Sequence, residues 1–576
     1  MLERLWTPLV HMWEAWQVEL HGKYSVERMQ ALQHYSQCSN LAHALLVICV
    51  APLPCLLSVI LIDMIPLEAP EKGLAHSHAF WLRMFVTSLC VNSTNLEQGR
   101  QYIPALHITG LQVVLVTIVV TTGGLAIGFG WAHGIGYPLP FFPCLVAPGC
   151  LLLTAIIATF LWGKRARGKP AVLVEIKNYM NIVGAPVLLI FIYPAYNYVF
   201  MGLSSSKQTA FALLLPVMKI LGKNAIAYLV RHLEDFRPEV VIFNVEIFHA
   251  LFVASSMQQS NSLNTTIVLM AMDFVQACAS LRDVDLLLKS LRELIHPDTR
   301  NVGTAKRSVT MAPFASALSD LNPLDATMYV LSIDRQLRSS PSLSLSSQAM
   351  SLGPQVMAIR HEGDKPSSER AATSTLATSK QHKMSCHRKI ARAMVHPRAQ
   401  RSHSTFVGLA LDALATSTHI SDVDKQRLQL LSPEARLQLA QQTLQLLHLS
   451  EFLLLVEFTE VIVPCIYCVF VSAVSQLPNR QFYSNLRGLD EEALWSNIAK
   501  VMAYAGLEIV SFVMLAALLS RRLRMSPFKQ LAFVLETQWH LVQSKLMLWV
   551  LFSLQTTLVH LGFDYSFQFA WLRKPT

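Results

Sequence analysis

The sequence predicts an all-α fold: a polytopic transmembrane helix bundle of about ten spans with a largely disordered cytoplasmic insert. Three observations predict it. Apolar runs of about twenty residues, the length that crosses roughly 30 Å of hydrocarbon, recur along the chain. Only 15% of the 576 residues are charged and 52% are hydrophobic, whereas a soluble chain carries about 25% charge. The net charge of +10 is concentrated beside the apolar runs and in one long polar insert. That is the pattern of the positive-inside rule and not of a nucleic-acid footprint, so the lipid bilayer is the expected partner and nucleic acid is not.

Residues 1–40 form a Trp-rich amino-terminal region. Trp6, Leu9, Val10, Trp13, Trp16 and Leu20 recur at helical spacing. Such a stripe suits a helix lying in the membrane interface, or one packed on the protein's own loops. Residues 41–281 make a first membrane bundle, with seven runs near 41–62, 107–129, 138–162, 182–201, 208–230, 240–258 and 263–281. Asn244, Glu246, His249 and Asp273 interrupt the last two, which can form a tight hairpin instead. Residues 452–576 make a second bundle, with three runs near 452–475, 501–519 and 541–561.

Orientation follows from basic residues in short loops. Lys164, Arg165, Arg167 and Lys169 follow the third run, and Arg521, Arg522 and Arg524 follow the ninth. Ten spans with the amino terminus outside place both loops in the cytoplasm. Residues 74–91 bear on the count: Phe80, Trp81, Leu82, Met84 and Phe85 are apolar, but Arg83, His76 and His78 lie among them. We read an interfacial or re-entrant helix there. A full span would instead give eleven crossings and a cytoplasmic amino terminus.

The insert, residues 282–451, carries 21 Lys and Arg against 14 Asp and Glu over 282–450. Its centre, 336–405, is Ser-rich and aperiodic, which predicts disorder. The cluster Lys380, Lys383, Arg388, Lys389, Arg392, Arg398 and Arg401 suits anionic lipid on a cytoplasmic leaflet, or a solvated linker. Order returns at Ser432-Pro433, an N-cap and first-turn proline that start a helix running into the eighth span.

Charges inside apolar runs cost roughly 2.5–3.5 kcal/mol each at the bilayer centre, so each needs an account. The candidates for a cavity or ion pathway are Lys219, Lys223, Glu246, His249, Asp273, Glu457, Glu460 and Glu508. Glu246/His249 and Glu457/Glu460 are each three apart and share a helix face. Depth arithmetic across the short 231–239 loop sets Lys223 level with Glu246, and Lys219 about 6 Å deeper. The alternative is a set of structural ion pairs that fixes helix register. Prolines at 52, 54, 143, 148, 186, 194, 216 and 464 interrupt runs, as in helices that line transport sites, and are also common in membrane helices generally.

No catalytic motif is present: no phosphate loop, nucleophile elbow or His-Glu-x-x-His. Cys465 and Cys468 lack a second pair, and His76 and His78 lack a third ligand, so no metal or cofactor is expected.

Trp13–Trp16, His21–Arg28, Ile192–Phe200, Gln208–Pro216 and Phe243–Ala250 resemble a family of uncharacterised multi-pass membrane proteins expanded in oomycetes. The resemblance covers most of the membrane part and little of the insert. It implies a membrane protein and no particular activity. Two functions therefore stand side by side: an ion- or proton-coupled transporter using the buried carboxylates, and a membrane scaffold or receptor regulated through its insert.

Overall fold

Apolar runs fold as helices because lipid offers no partner to a backbone N–H or C=O outside the segment's own ladder. The computed structural model describes residues 17–18, 22–184, 187–231, 237–259, 323–334, 422–523, 525–564 and 568–572, with scattered positions at 267–286 and 337. Most of the amphipathic stretch 1–24, the insert's centre, the basic cluster at 380–401 and Asp273 lie outside the described residues.

Helix α1 (Val26–Cys38) is capped by Ser25, whose hydroxyl accepts from the Arg28 N–H. The first apolar run is broken at Ala51-Pro52 into α2 (Leu41–Val50) and α3 (Leu53–Asp63). Then come α4 (His78–Tyr102), α5 (Gly110–Ile135) and α6 (Phe142–Ala166). A Thr109/Gln112 capping box starts α5. Next are α7 (Pro170–Gly184), α8 (Val187–Met201), α9 (Ser205–Ala212), α10 (Leu214–Leu229) and α11 (Arg237–Gln259). The insert contributes α12 (Pro323–Ile333) and α13 (Asp422–Leu430). The chain closes with α14 (Pro433–Val474), α15 (Glu491–Leu523), α16 (Pro527–Thr537) and α17 (Trp539–Gln555). Among the described residues there is no strand, only an isolated bridge between Tyr483 and Leu558.

Among the described residues, five segments are long and apolar enough to cross a membrane: Leu41–Asp63, Gly110–Ile135, Phe142–Ala166, Pro433–Val474 and Glu491–Arg521. At the centre stands α11, buried from Glu239 through Leu251 on every face although it carries Glu239, Asn244, Glu246 and His249. It packs against α10, α14 and α17. Helices α5 and α6 form a peripheral hairpin. Gly124 and Gly128 bring them together; a Cβ on Gly124 would meet Cys150 Sγ at 2.3 Å. The outer faces carry Leu57, Leu115, Leu152 and Phe160, the last 84% exposed. Apolar side chains bare over such a band are accounted for by lipid.

Two ends of the bundle are defined by contacts between distant segments. At one end α1 meets the insert: Gln33 Nε2 donates to Asp325 of α12 at 3.0 Å. Tyr35 reaches Glu536 of α16 at 2.8 Å, and Thr327 reaches Thr443 of α14 at 2.9 Å. At the other end Asn479 bonds the Asp63 and Ile65 carbonyls, and Phe80 stacks on His560. These contacts bring α1 and α12 to the same end of the bundle.

The 25 residues of α4 span about 38 Å at helical rise. Phe80 lies at one end of the bundle against Tyr137 and Phe142, and Gln98 lies beside Ser544 in the first turns of α17. Arg83, which argued for an interfacial helix, is fully buried and paired with Asp63 and Tyr483. Arg83 therefore enters the bundle as half of an ion pair and not as a bare charge.

Candidate functional site

Four helices bring seven of the candidate residues together. Lys219 and Lys223, one turn apart on α10, project toward α11. Lys223 Nζ lies 2.5 Å from Glu246 Oε1, and Lys219 Nζ lies 3.0 Å from Glu246 Oε2. Lys219 also donates to Glu460 Oε1 on α14 at 2.6 Å, so it bridges two carboxylates of different helices. The Lys223 ammonium stands 5.5 Å above the Phe452 ring. Glu457 and Glu460 of α14 and Glu508 of α15 each present an oxygen within 4.8 Å of the other two. His249 lies one turn beyond Glu246 on the same face of α11.

All seven side chains are buried. Among the described residues the network sets four carboxylates against two ammonium groups and the imidazole of His249. Full ionisation would leave net negative charge in an apolar interior, and like charges a few ångströms apart resist ionising together. A shared proton or a bound cation restores the balance. The three glutamates form an all-oxygen set of the kind that hard cations take. No metal was expected from the sequence, because Glu508 is about fifty residues from its two neighbours and no local spacing announces the cluster.

Two further ionic clusters lie at the ends of the bundle. At the insert end Arg28 bonds Glu239 of α11 and, at 2.7 Å, Glu451 of α14; Tyr24 donates to the same Glu451. At the other end Tyr483 donates to Asp63 at 2.7 Å and accepts from Arg83 at 2.7 Å. The sequence reading passed over Arg28, Glu239, Glu451, Asp63 and Tyr483 because each lies at the margin of an apolar run. It also passed over Lys545, six residues into α17, which is fully buried.

The remaining candidates are not brought to this site. His76 is exposed and bonds the Lys72 carbonyl. Cys465 and Cys468 are free thiols.

The chain matches no protein-family model, and comparison with curated proteins and with solved structures finds no similar one. The resemblance to the oomycete family therefore rests on the quoted stretches alone.

Proposed function

We propose that this is a multi-pass membrane protein coupling transport to proton movement through the Lys219–Glu246–Glu460 network, with Glu457 and Glu508 as the proton-sharing carboxylates. The observation that carries it is the ratio of four buried carboxylates to two lysines across α10, α11, α14 and α15. Carboxylates crowded beside fewer lysines are favoured to share a proton. A carboxylate cluster with charge in excess changes charge when it gains or loses a proton, which is what coupling requires. Lys219, shared by Glu246 and Glu460, gives that change a route between α11 and α14.

The same reading takes the chain through eleven crossings, with the amino terminus and insert in the cytoplasm. Helices α2 and α3 supply the first crossing and α4 the second; α7 with α8, α9 with α10, and α16 with α17 supply one each. The remaining crossing is the apolar run that the sequence places near 263–281. Lys164–Lys169 and Arg521–Arg522 then fall on the cytoplasmic side, as the positive-inside rule asks.

The experiment is proton uptake into proteoliposomes holding a pH-sensitive dye, with an imposed electrical potential. Wild-type protein should acidify the lumen, and Glu508→Gln should not. Uptake unchanged in Glu508→Gln would remove the carboxylates from the pathway.

A scaffold or receptor is supported by one different observation, the docking of the insert's α12 on α1 and α14 through Asp325 and Thr327. On that reading deletion of 336–421 alters partner binding and leaves proton flux absent throughout.

A further inference from the structure

Five Lys and Arg side chains are buried among the described residues: Arg28, Arg83, Lys219, Lys223 and Lys545. The first four each face a carboxylate. Lys545 does not. It is fully buried, and its ammonium group makes a single contact of 3.4 Å to the neutral Ile182 carbonyl. That distance is beyond a good N–H···O bond. A buried ammonium without a counter-charge is costly and marks a site to be completed.

An unpaired donor lies against the residue next to it in the chain. Gln98 of α4 is 3% exposed; its Oε1 accepts from Ser544, the neighbour of Lys545, but its Nε2 bonds nothing. Ile182 lies two residues before the end of α7. The level is mid-depth: Gln543 of α17 bonds the Ala51 carbonyl, at the break halfway along Leu41–Asp63. A lipid headgroup does not reach there.

We propose that Lys545 and Gln98 form a binding site for a small monocarboxylate. One ammonium group balances one negative charge, and the amide offers a donor to the second oxygen. The surroundings suit a short apolar tail. Trp549 follows one turn later on the same face of α17, and its ring packs 4.7 Å from that of Phe248. Trp549 also donates to Asn244 of α11 at 3.3 Å. Asn244 and Phe248 face α17, whereas Glu246, two residues from Asn244 and about 200° around the helix, faces α10. Helix α11 therefore has the monocarboxylate site on one face and the carboxylate network on the other. Naming this anion as the transported substrate rests on the transport reading; its binding does not.

The test is butyrate binding to the purified full-length protein by calorimetry at matched ionic strength, with inorganic phosphate and chloride run alongside. Wild-type protein should bind butyrate saturably. Lys545→Met should weaken binding at least about tenfold, the worth of one charge-assisted hydrogen bond. It should keep the wild-type thermal transition, because it strands no carboxylate. Gln98→Leu should weaken binding by a smaller factor, and carries the test should Lys545→Met fail to fold. Equal affinity in wild type and both variants overturns the site, as does the lack of saturable binding. Tighter, Lys545-dependent binding of phosphate overturns the monocarboxylate class. Butyrate binding retained while Glu508 variants and wild type show the same proton flux would remove the transport reading and leave this site standing.

Discussion

Replacing Arg83 with methionine tests the feature that most changes the topology. In the structure Arg83, Asp63 and Tyr483 are all buried, and the arginine provides the positive charge opposite Asp63. Removing it leaves the carboxylate with the Tyr483 hydroxyl and no counter-charge. Breaking a buried pair in this way costs about 3–5 kcal/mol, most of it the stranded charge. Asp63→Asn in the same protein removes that charge, so the double variant should return to within about 1 kcal/mol of wild type. Tyr483→Phe deletes one donor and one acceptor and should cost about 1–3 kcal/mol. The assay is reversible denaturation in mixed micelles, with the coupling energy taken from the Asp63/Arg83 cycle. Additive single effects, or a neutral Arg83→Met, would mean that α4 lies at the interface after all.

Cysteines placed at Lys23, Arg167, Lys425 and Arg522 should label from one side of a sealed vesicle, and cysteines at Glu71 and Asp490 from the other; Lys23 grouped with Glu71 would contradict the contacts of α1. Gly22→Ala should loosen the amino-terminal helix, because its Cβ would lie 2.0 Å from His448 Nε2; protease resistance equal to wild type near α1 would refute this. Gly562→Ala should destabilise more, since it adds a Cβ 2.3 Å from the Leu139 carbonyl oxygen at a φ of +62°. Its thermal transition should fall below that of Gly488→Ala, where nothing lies within 4 Å. Burial, and then the charge and hydrogen bond of Glu536, raise the Tyr35 phenol above its ordinary range near 10. The protonated form is favoured by folding, so this stability is complete below pH 10 and is lost as pH rises above it. Tyr35→Phe should flatten the alkaline fall in stability, and an unchanged slope would count against the contact.

What the sequence revealed follows from distance along the chain. Helices and charges inside apolar runs are local signals, so the all-α membrane fold and the residues Lys219, Lys223, Glu246, Glu457, Glu460 and Glu508 were visible. The level of Lys223 with Glu246 was also calculable, because α10 and α11 are joined by a short loop. The bond from Lys219 to Glu460, 241 residues away, was not, because no periodicity links α10 to α14. Arg83 misled for the same reason: it was weighed as a bare charge, and its partners Asp63 and Tyr483 come from the preceding crossing and from a loop 400 residues on. Lys545 was passed over because it stands near the start of an apolar run. The packing of α16 beside α2 moves that point deep into the bundle.

The central claim is that the carboxylates of α14 and α15 hold a proton within the bundle. Infrared difference spectroscopy of the purified protein across pH tests it most directly, through the carbonyl stretch of a protonated carboxyl group shielded from solvent. The account predicts such a band in wild-type protein, lost on raising the pH and lost in Glu508→Gln. A spectrum with no protonated-carboxyl band at any pH, or with the band intact in Glu508→Gln and Glu457→Gln alike, would contradict it.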